Sequence, residues 1–237
     1  MTIISIDLAC KRYSDIGVAI LRDEGTAIDA TVSSPPLQGA PNALSLAEWI
    51  GELSAKHSAT YIFLDGPQGW KRHDSTLKHS RACESAFNTP AKTGTKGTVK
   101  PATYTRFAQF SINVFEALTT AGLSLFGFQP ENADRCILFE SFPFGAWRKL
   151  EIPHLPSKAK ATQRDTDVRL ASLQQMFTIP RVTMLNHDQL QALVAGIAGI
   201  QIHRGGVAAV SICGEPPIRP DGFWCEGFIV CPKKAGV

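Results

Sequence analysis

Three apolar, strand-like runs of this chain each stop on an acid: Ile3–Ile6 on Asp7, Tyr61–Leu64 on Asp65, and Cys136–Phe139 on Glu140. A fourth acid, Asp188, opens a helical pattern over 187–201, in a first turn where the macrodipole favours an ionised carboxylate and Asn186 can cap. In a sheet that contains parallel strands, the carboxyl ends of the strands are where sites are assembled. Carboxylates from such distant parts of a chain repel one another unless a cation sits among them. Hard divalent ions take oxygen ligands, and two together can clamp an in-line phosphoryl displacement, one at the attacking water and one at the leaving oxygen. Each acid also has a plainer role available. Asp65-Gly66-Pro67 is turn sequence, Glu140 stands just ahead of Pro143, and Asp188 suits a first turn by charge alone. Asp7 has no turn chemistry after it.

A second source of chemistry is a basic segment. Between Gly66 and Arg106 there are eight basic residues against two acidic ones, whereas the remainder of the chain carries 16 basic and 19 acidic. Lys71, Arg72, Arg81, Lys96 and Lys100 of this segment are the candidates for holding the phosphates of a polyanion. A solvated lysine-rich loop would have the same composition. His73 and His79 lack ligand spacing, Trp70 and Tyr104 could stack on bases but suit a core, and His187 stands beside Asp188 at a position unfavourable to an imidazolium.

These residues must be positioned by the elements around them. The first thirty residues read as a three-stranded meander over Ile3–Ile6, Asp15–Leu21 and Ala27–Val32, with Arg22–Gly25 as a tight link. A helix follows from Asn42 to Leu53, then a strand of the doubly buried type at Tyr61–Leu64. Residues 66–103 show no periodicity apart from a short helix over Ser80–Phe87, and read as a lid, a binding loop or a disordered stretch, with 71–100 expected to be the most mobile part of the chain for want of apolar anchors. Helices over Tyr104–Gly122, Lys160–Phe177 and His187–Gln201, with apolar runs at Val207–Ile212 and Gly227–Val230, complete the pattern. Gly196 and Gly199 would let the 187–201 helix lie close on the sheet.

The 237 residues, 44% hydrophobic and 19% charged, suit one globular domain over 1–237 with an irregular basic insertion at about 66–103. No basic region precedes the first apolar run and no apolar stretch is long enough to span a bilayer, so a cytoplasmic protein without a membrane partner is expected. Six cysteines without metal-ligand spacing then read as reduced, mostly buried thiols.

The strand ending at Asp7 and the hairpin after it resemble the opening of the ribonuclease H-like superfamily. The ordered segments Phe63-Leu-Asp65-Gly-Pro-Gln-Gly-Trp70, Arg81-Ala-Cys-Glu84, Glu140-Ser-Phe-Pro143, His187-Asp-Gln-Leu-Gln-Ala192 and Glu226–Pro232 resemble the DUF429 family of predicted nucleases within it. The resemblance implies an α/β fold with a mixed central sheet, three strands antiparallel and two parallel, flanked by helices. It implies a site of Asp7, Asp65, Glu140 and Asp188 holding Mg²⁺ or Mn²⁺, and a metal-dependent nuclease acting on DNA or RNA. One departure is Gln191, which stands where the family's last helix usually carries a second acid. A neutral amide is the weaker ligand, and Gln191→Asp would restore the pattern. Two other functions stay open. An actin-like ATPase or phosphotransferase shares the sheet order, although Leu8-Ala-Cys-Lys-Arg12 has no glycine to cradle a phosphate. A catalytically silent member would only bind nucleic acid or a protein.

Overall fold

The computed structural model describes residues 1–128, 136–180, 182 and 185–234. Strands β1 (Thr2–Asp7), β2 (Gly17–Asp23) and β3 (Ile28–Ser33) form the expected antiparallel meander. Helix α1 (Ala43–His57) starts where the Asn42 side chain accepts from the amides of Leu44 and Ser45, and it returns the chain to β4 (Ala59–Asp65), parallel to β1. The insertion contains α2 (Ala82–Phe87) and the two-residue strands β5 (Lys92–Thr93) and β6 (Val99–Lys100). After it come α3 (Thr105–Thr120), β7 (Ser124–Leu125), β8 (Ile137–Ser141), α4 (Pro143–Lys149), α5 (Gln163–Phe177), α6 (His187–Gly205), β9 (Val210–Ile218) and β10 (Cys225–Pro232). Helix α4 escapes a reading by periodicity because its seven residues begin on Pro143 and include Gly145, leaving too few apolar positions to repeat.

The sheet order is β3-β2-β1-β4-β8-β10-β9, with β7 also beside β8. Its first five strands, three antiparallel and then β4 and β8 parallel to β1, have the ribonuclease H-like arrangement. The β9–β10 hairpin extends that sheet by two strands. One face packs Ile3, Phe63 and Phe139 under α6, α4 and α5; the other packs Ile4, Ile6, Ile62, Leu64 and Leu138 under α1 and α3. Alternation along each strand accounts for the division. The glycines of α6 act as expected: a Cβ on Gly196 would fall 2.6 Å from Leu21, and one on Gly199 2.7 Å from Ile3.

The insertion differs from a loop without anchors. Trp70, Cys83, Phe87 and Val99 are all buried, and Trp70 pairs with Cys225 of β10 through a backbone bridge. Polar anchoring is stronger still, through the fully buried Arg81 described below. Of the six free cysteines, three are buried and three half-buried. Among the described residues no helix is long and apolar enough to cross a membrane.

Candidate active site

Asp7 and Asp65 are brought together by register. Strands β1 and β4 run parallel with Ser5 beside Phe63 and Ile6 beside Leu64, so the two aspartates leave adjacent strand ends on the same side. Asp188 reaches them because Asp7 pairs with Gly17 across the β1–β2 ladder, and Gly17 lies directly against the first turn of α6. That turn is fixed by a capping box: the Asn186 side chain accepts from the Gln189 amide at 2.9 Å, and Gln189 accepts from the Asn186 amide at 3.1 Å. The three aspartates face a cavity of about 660 Å³ at the carboxyl ends of the parallel strands.

The electrostatics of the cluster are unfavourable to full ionisation. Desolvation, then the charges of Asp65 and Asp188, push the Asp7 carboxyl well above the usual carboxylate range. Desolvation likewise raises Asp65 to about 7, with the neighbouring Glu140 adding to the effect and a hydrogen bond with Asp7 opposing it. For both, loss of water around the carboxylate is the larger cost and the neighbouring carboxylates add to it.

Glu140 is differently employed. In the β4–β8 register it lies beside Leu64 while Asp65 lies beside Ser141, so it leaves its strand on the opposite side from Asp65. Its two oxygens accept from Arg81 at 2.7 Å each, and one also accepts from the Gln68 amide at 2.9 Å. Arg81 has no exposed surface; its Nη2 and Nε also donate to Glu84, whose carboxylate accepts from the Thr93 amide and hydroxyl. Glu226 closes the network from β10 by accepting from the amides of Arg72 and Ala82. Glu140 and Arg81 therefore tie the insertion to the sheet, and both line the same cavity as the aspartates.

The other basic candidates lie away from the cavity. Lys71 turns its ammonium onto the carbonyls of Arg72 and Ser75, and Arg72 pairs with Asp74 and Glu215. Lys96 sits over the Phe223 ring, and Lys100 contacts His79. Besides Arg81, the cations that line the cavity are Lys11, Arg12, Arg106 and Lys158, and Tyr104 and Phe107 line it with them. Lys11 and Arg12 could have been found in the sequence, since they follow the strand that ends on Asp7. Lys158 carries no local signal.

Lys158 is bonded to Asp188 Oδ2 and, at 2.8 Å, to Asp15 Oδ1. The other oxygen of Asp188 faces His187 Nδ1 at 3.1 Å, while His187 Nε2 faces the Pro156 carbonyl at 3.1 Å. Arg12 and Lys158 hold the Asp15 carboxyl down at about 2. Gln191 is turned away from the cluster: its amide oxygen accepts from the Trp147 indole N–H at 2.6 Å, which makes it a half-buried structural acceptor. The Ser141 hydroxyl, buried in the cavity wall beside Asp65, has no hydrogen-bond partner among the described residues.

As the side chains stand, no three His, Cys, Asp or Glu among the described residues form a cluster that could hold a metal ion. The geometry explains this, since Glu140 is drawn onto Arg81 and Asp188 onto Lys158. The donor chemistry nonetheless fits a hard divalent cation. Asp7 and Asp65 are oxygen donors with raised proton affinity, and the orphaned Ser141 hydroxyl stands next to Asp65.

No family model matches the sequence, and no curated protein matches it. Among solved structures the chain is similar to RuvC of Thermus thermophilus, at 11% identity with a TM-score of 0.44, covering 87% of this chain and 97% of that one. It is also similar to T. thermophilus RuvC in complex with a Holliday junction substrate, at 9% identity with a TM-score of 0.39 and the same coverage. At these identities the likeness is one of backbone course.

Proposed function

We propose that this chain is a divalent-metal-dependent nuclease of the DUF429 type that hydrolyses phosphodiester bonds in nucleic acid. The observation that carries the reading is the convergence of Asp7, Asp65 and Asp188 in a cavity whose walls also bear Lys11, Arg12 and Arg106. Asp7 and Asp65 would hold a Mg²⁺ or Mn²⁺ ion, with Asp188 as the third carboxylate. Such an ion supplies a water deprotonated near neutral pH and charge to stabilise the leaving oxygen. The protein's own part is to orient and to exclude water. Lys11, Arg12 and Arg106 would grip the flanking phosphates, and the Ser141 hydroxyl is free to donate to a phosphate oxygen or to water. Tyr104 and Phe107 offer faces on which a base can stack. We assign Glu140 to positioning through Arg81. Apolar residues such as Leu8, Pro67 and Ile229 complete the wall and keep the reacting groups in a poorly solvated setting, where each electrostatic contact is stronger.

The test is cleavage of end-labelled single- and double-stranded DNA and RNA with Mn²⁺. Cleavage that is abolished by chelator and by Asp7→Asn is expected. No cleavage of any of the four substrates, or cleavage indifferent to Asp7→Asn, would overturn the assignment.

A further inference from the structure

The segment 150–162 between α4 and α5 crosses beside the aspartate cluster. Its first half is firmly held: Ile152 and Leu155 are buried, and Arg169 donates to the carbonyls of Pro153 and His154. Beyond Leu155 the anchoring changes in kind. Residues 157–160 are all exposed, and among the described residues the Lys158 bonds to Asp188 and Asp15 tie this turn to the rest of the protein, behind the His187–Pro156 contact at its base.

Exposed ion pairs ordinarily contribute little. This one is asymmetric. The Lys158 side chain is 48% exposed, while Asp188 is 8% exposed and belongs to the carboxylate cluster. Both oxygens of Asp188 are engaged, one by Lys158 and one by His187, so a divalent ion drawn to Asp188 meets the Lys158 ammonium already seated on the same carboxylate. Of the two, His187 is an adjacent residue on the same helix turn, whereas Lys158 rides on a turn without apolar anchors. The ammonium is therefore the partner that can leave at low cost. It also repels any second cation entering the cluster.

We propose that Lys158 is a built-in competitor of the divalent ion: its ammonium straps the 157–161 turn onto Asp188, and an ion seated at Asp7 and Asp65 recruits Asp188 only by releasing that strap. The inference rests on the reading that the cluster binds a divalent cation. It makes the turn a reporter of site occupancy and frees Lys158, once released, to face an incoming phosphate.

The experiment uses the full chain and Mn²⁺ alone, without nucleic acid. Titration calorimetry should show Lys158→Met binding Mn²⁺ at least fivefold more tightly than wild type, with Lys158→Arg close to wild type because the positive charge is kept. Limited trypsin digestion reads the turn independently. Cleavage after Lys160 should accelerate severalfold when Mn²⁺ is added to wild type, and should be fast in Lys158→Met with or without the ion. Equal Mn²⁺ affinity in wild type and Lys158→Met, or weaker affinity in the variant, overturns the inference. Asp7→Asn separates this from failure of the underlying reading, because Mn²⁺ binding that Asp7→Asn leaves untouched places the ion elsewhere. Absence of binding in both wild type and Lys158→Met rejects the inference and the metal site together.

Discussion

The backbone carbonyl of Asp188 occupies the space that a side chain on Gly17 would need: a Cβ there would lie 2.0 Å from that oxygen. Since Gly17 is the ladder partner of Asp7, the smallest residue type at one strand position sets how near the α6 aspartate comes to the β1 aspartate.

Gly17→Ala should therefore push the first turn of α6 off the sheet. Overpacking of this kind costs about 1–3 kcal/mol, and here the obstacle is backbone. A melting temperature lowered by several degrees is expected, together with loss of Mn²⁺ binding. A variant that melts like wild type and binds Mn²⁺ normally would show that the helix can shift freely.

The pH dependence of the metal-free protein follows from the raised pair. Asp7 and Asp65 bind protons more tightly folded than unfolded, so their contribution is complete below the ordinary value of 3.8 and is lost as pH rises, in the case of Asp65 through about 7. Asp15 acts in the opposite sense, contributing above 3.8 and losing its contribution as pH falls toward about 2. Between pH 5 and 8 the pair dominates, and the melting temperature without metal should fall as pH rises. Asp65→Asn should flatten that slope and raise stability at pH 8. Differential scanning calorimetry across this range checks the sign.

Arg81 is expected to be indispensable to folding. Arg81→Met leaves Glu140 and Glu84 buried without their cation, and breaking a buried pair in this way costs about 3–5 kcal/mol. Urea unfolding should show the loss directly. Lys96→Ala and Lys100→Ala should stay within about 0.5 kcal/mol of wild type, as surface substitutions do.

Nucleic-acid affinity should depend on the cavity cations. Arg106→Ala and Lys11→Ala should each weaken binding and lower the salt dependence by about one counterion, while Lys96→Ala should leave both unchanged. Fluorescence anisotropy at several salt concentrations provides the measurement.

Much of the scaffold was legible because local rules coincide with tertiary ones. The β-branched run of β1, the Asn42 and Asn186 caps and the small residues of α6 all act within a few residues of where they are seen. The convergence of Asp7, Asp65 and Asp188 could be anticipated since acids at strand ends leave little choice of place. Their partners could not. Whether Glu140 faces its neighbours or Arg81 depends on a one-residue difference in parallel register, which no local signal carries. Gln191, read as a departure from the family's metal site, is the acceptor for Trp147, a contact made across 44 residues. Gln191→Asp places a shorter acceptor there.

The tie between the insertion and β10 has a kinetic side. Glu226 bonds to Arg72 and Ala82 across separations of 154 and 144 residues, and Gln68 reaches the Glu226 carbonyl across 158. Closing loops of that length is slow and comes late in folding. During synthesis the early strands can pair while the insertion still lacks its floor. The cavity therefore acquires its full wall only after β10 has docked, and a nascent chain stopped before that strand would carry its aspartates without an enclosed chamber around them.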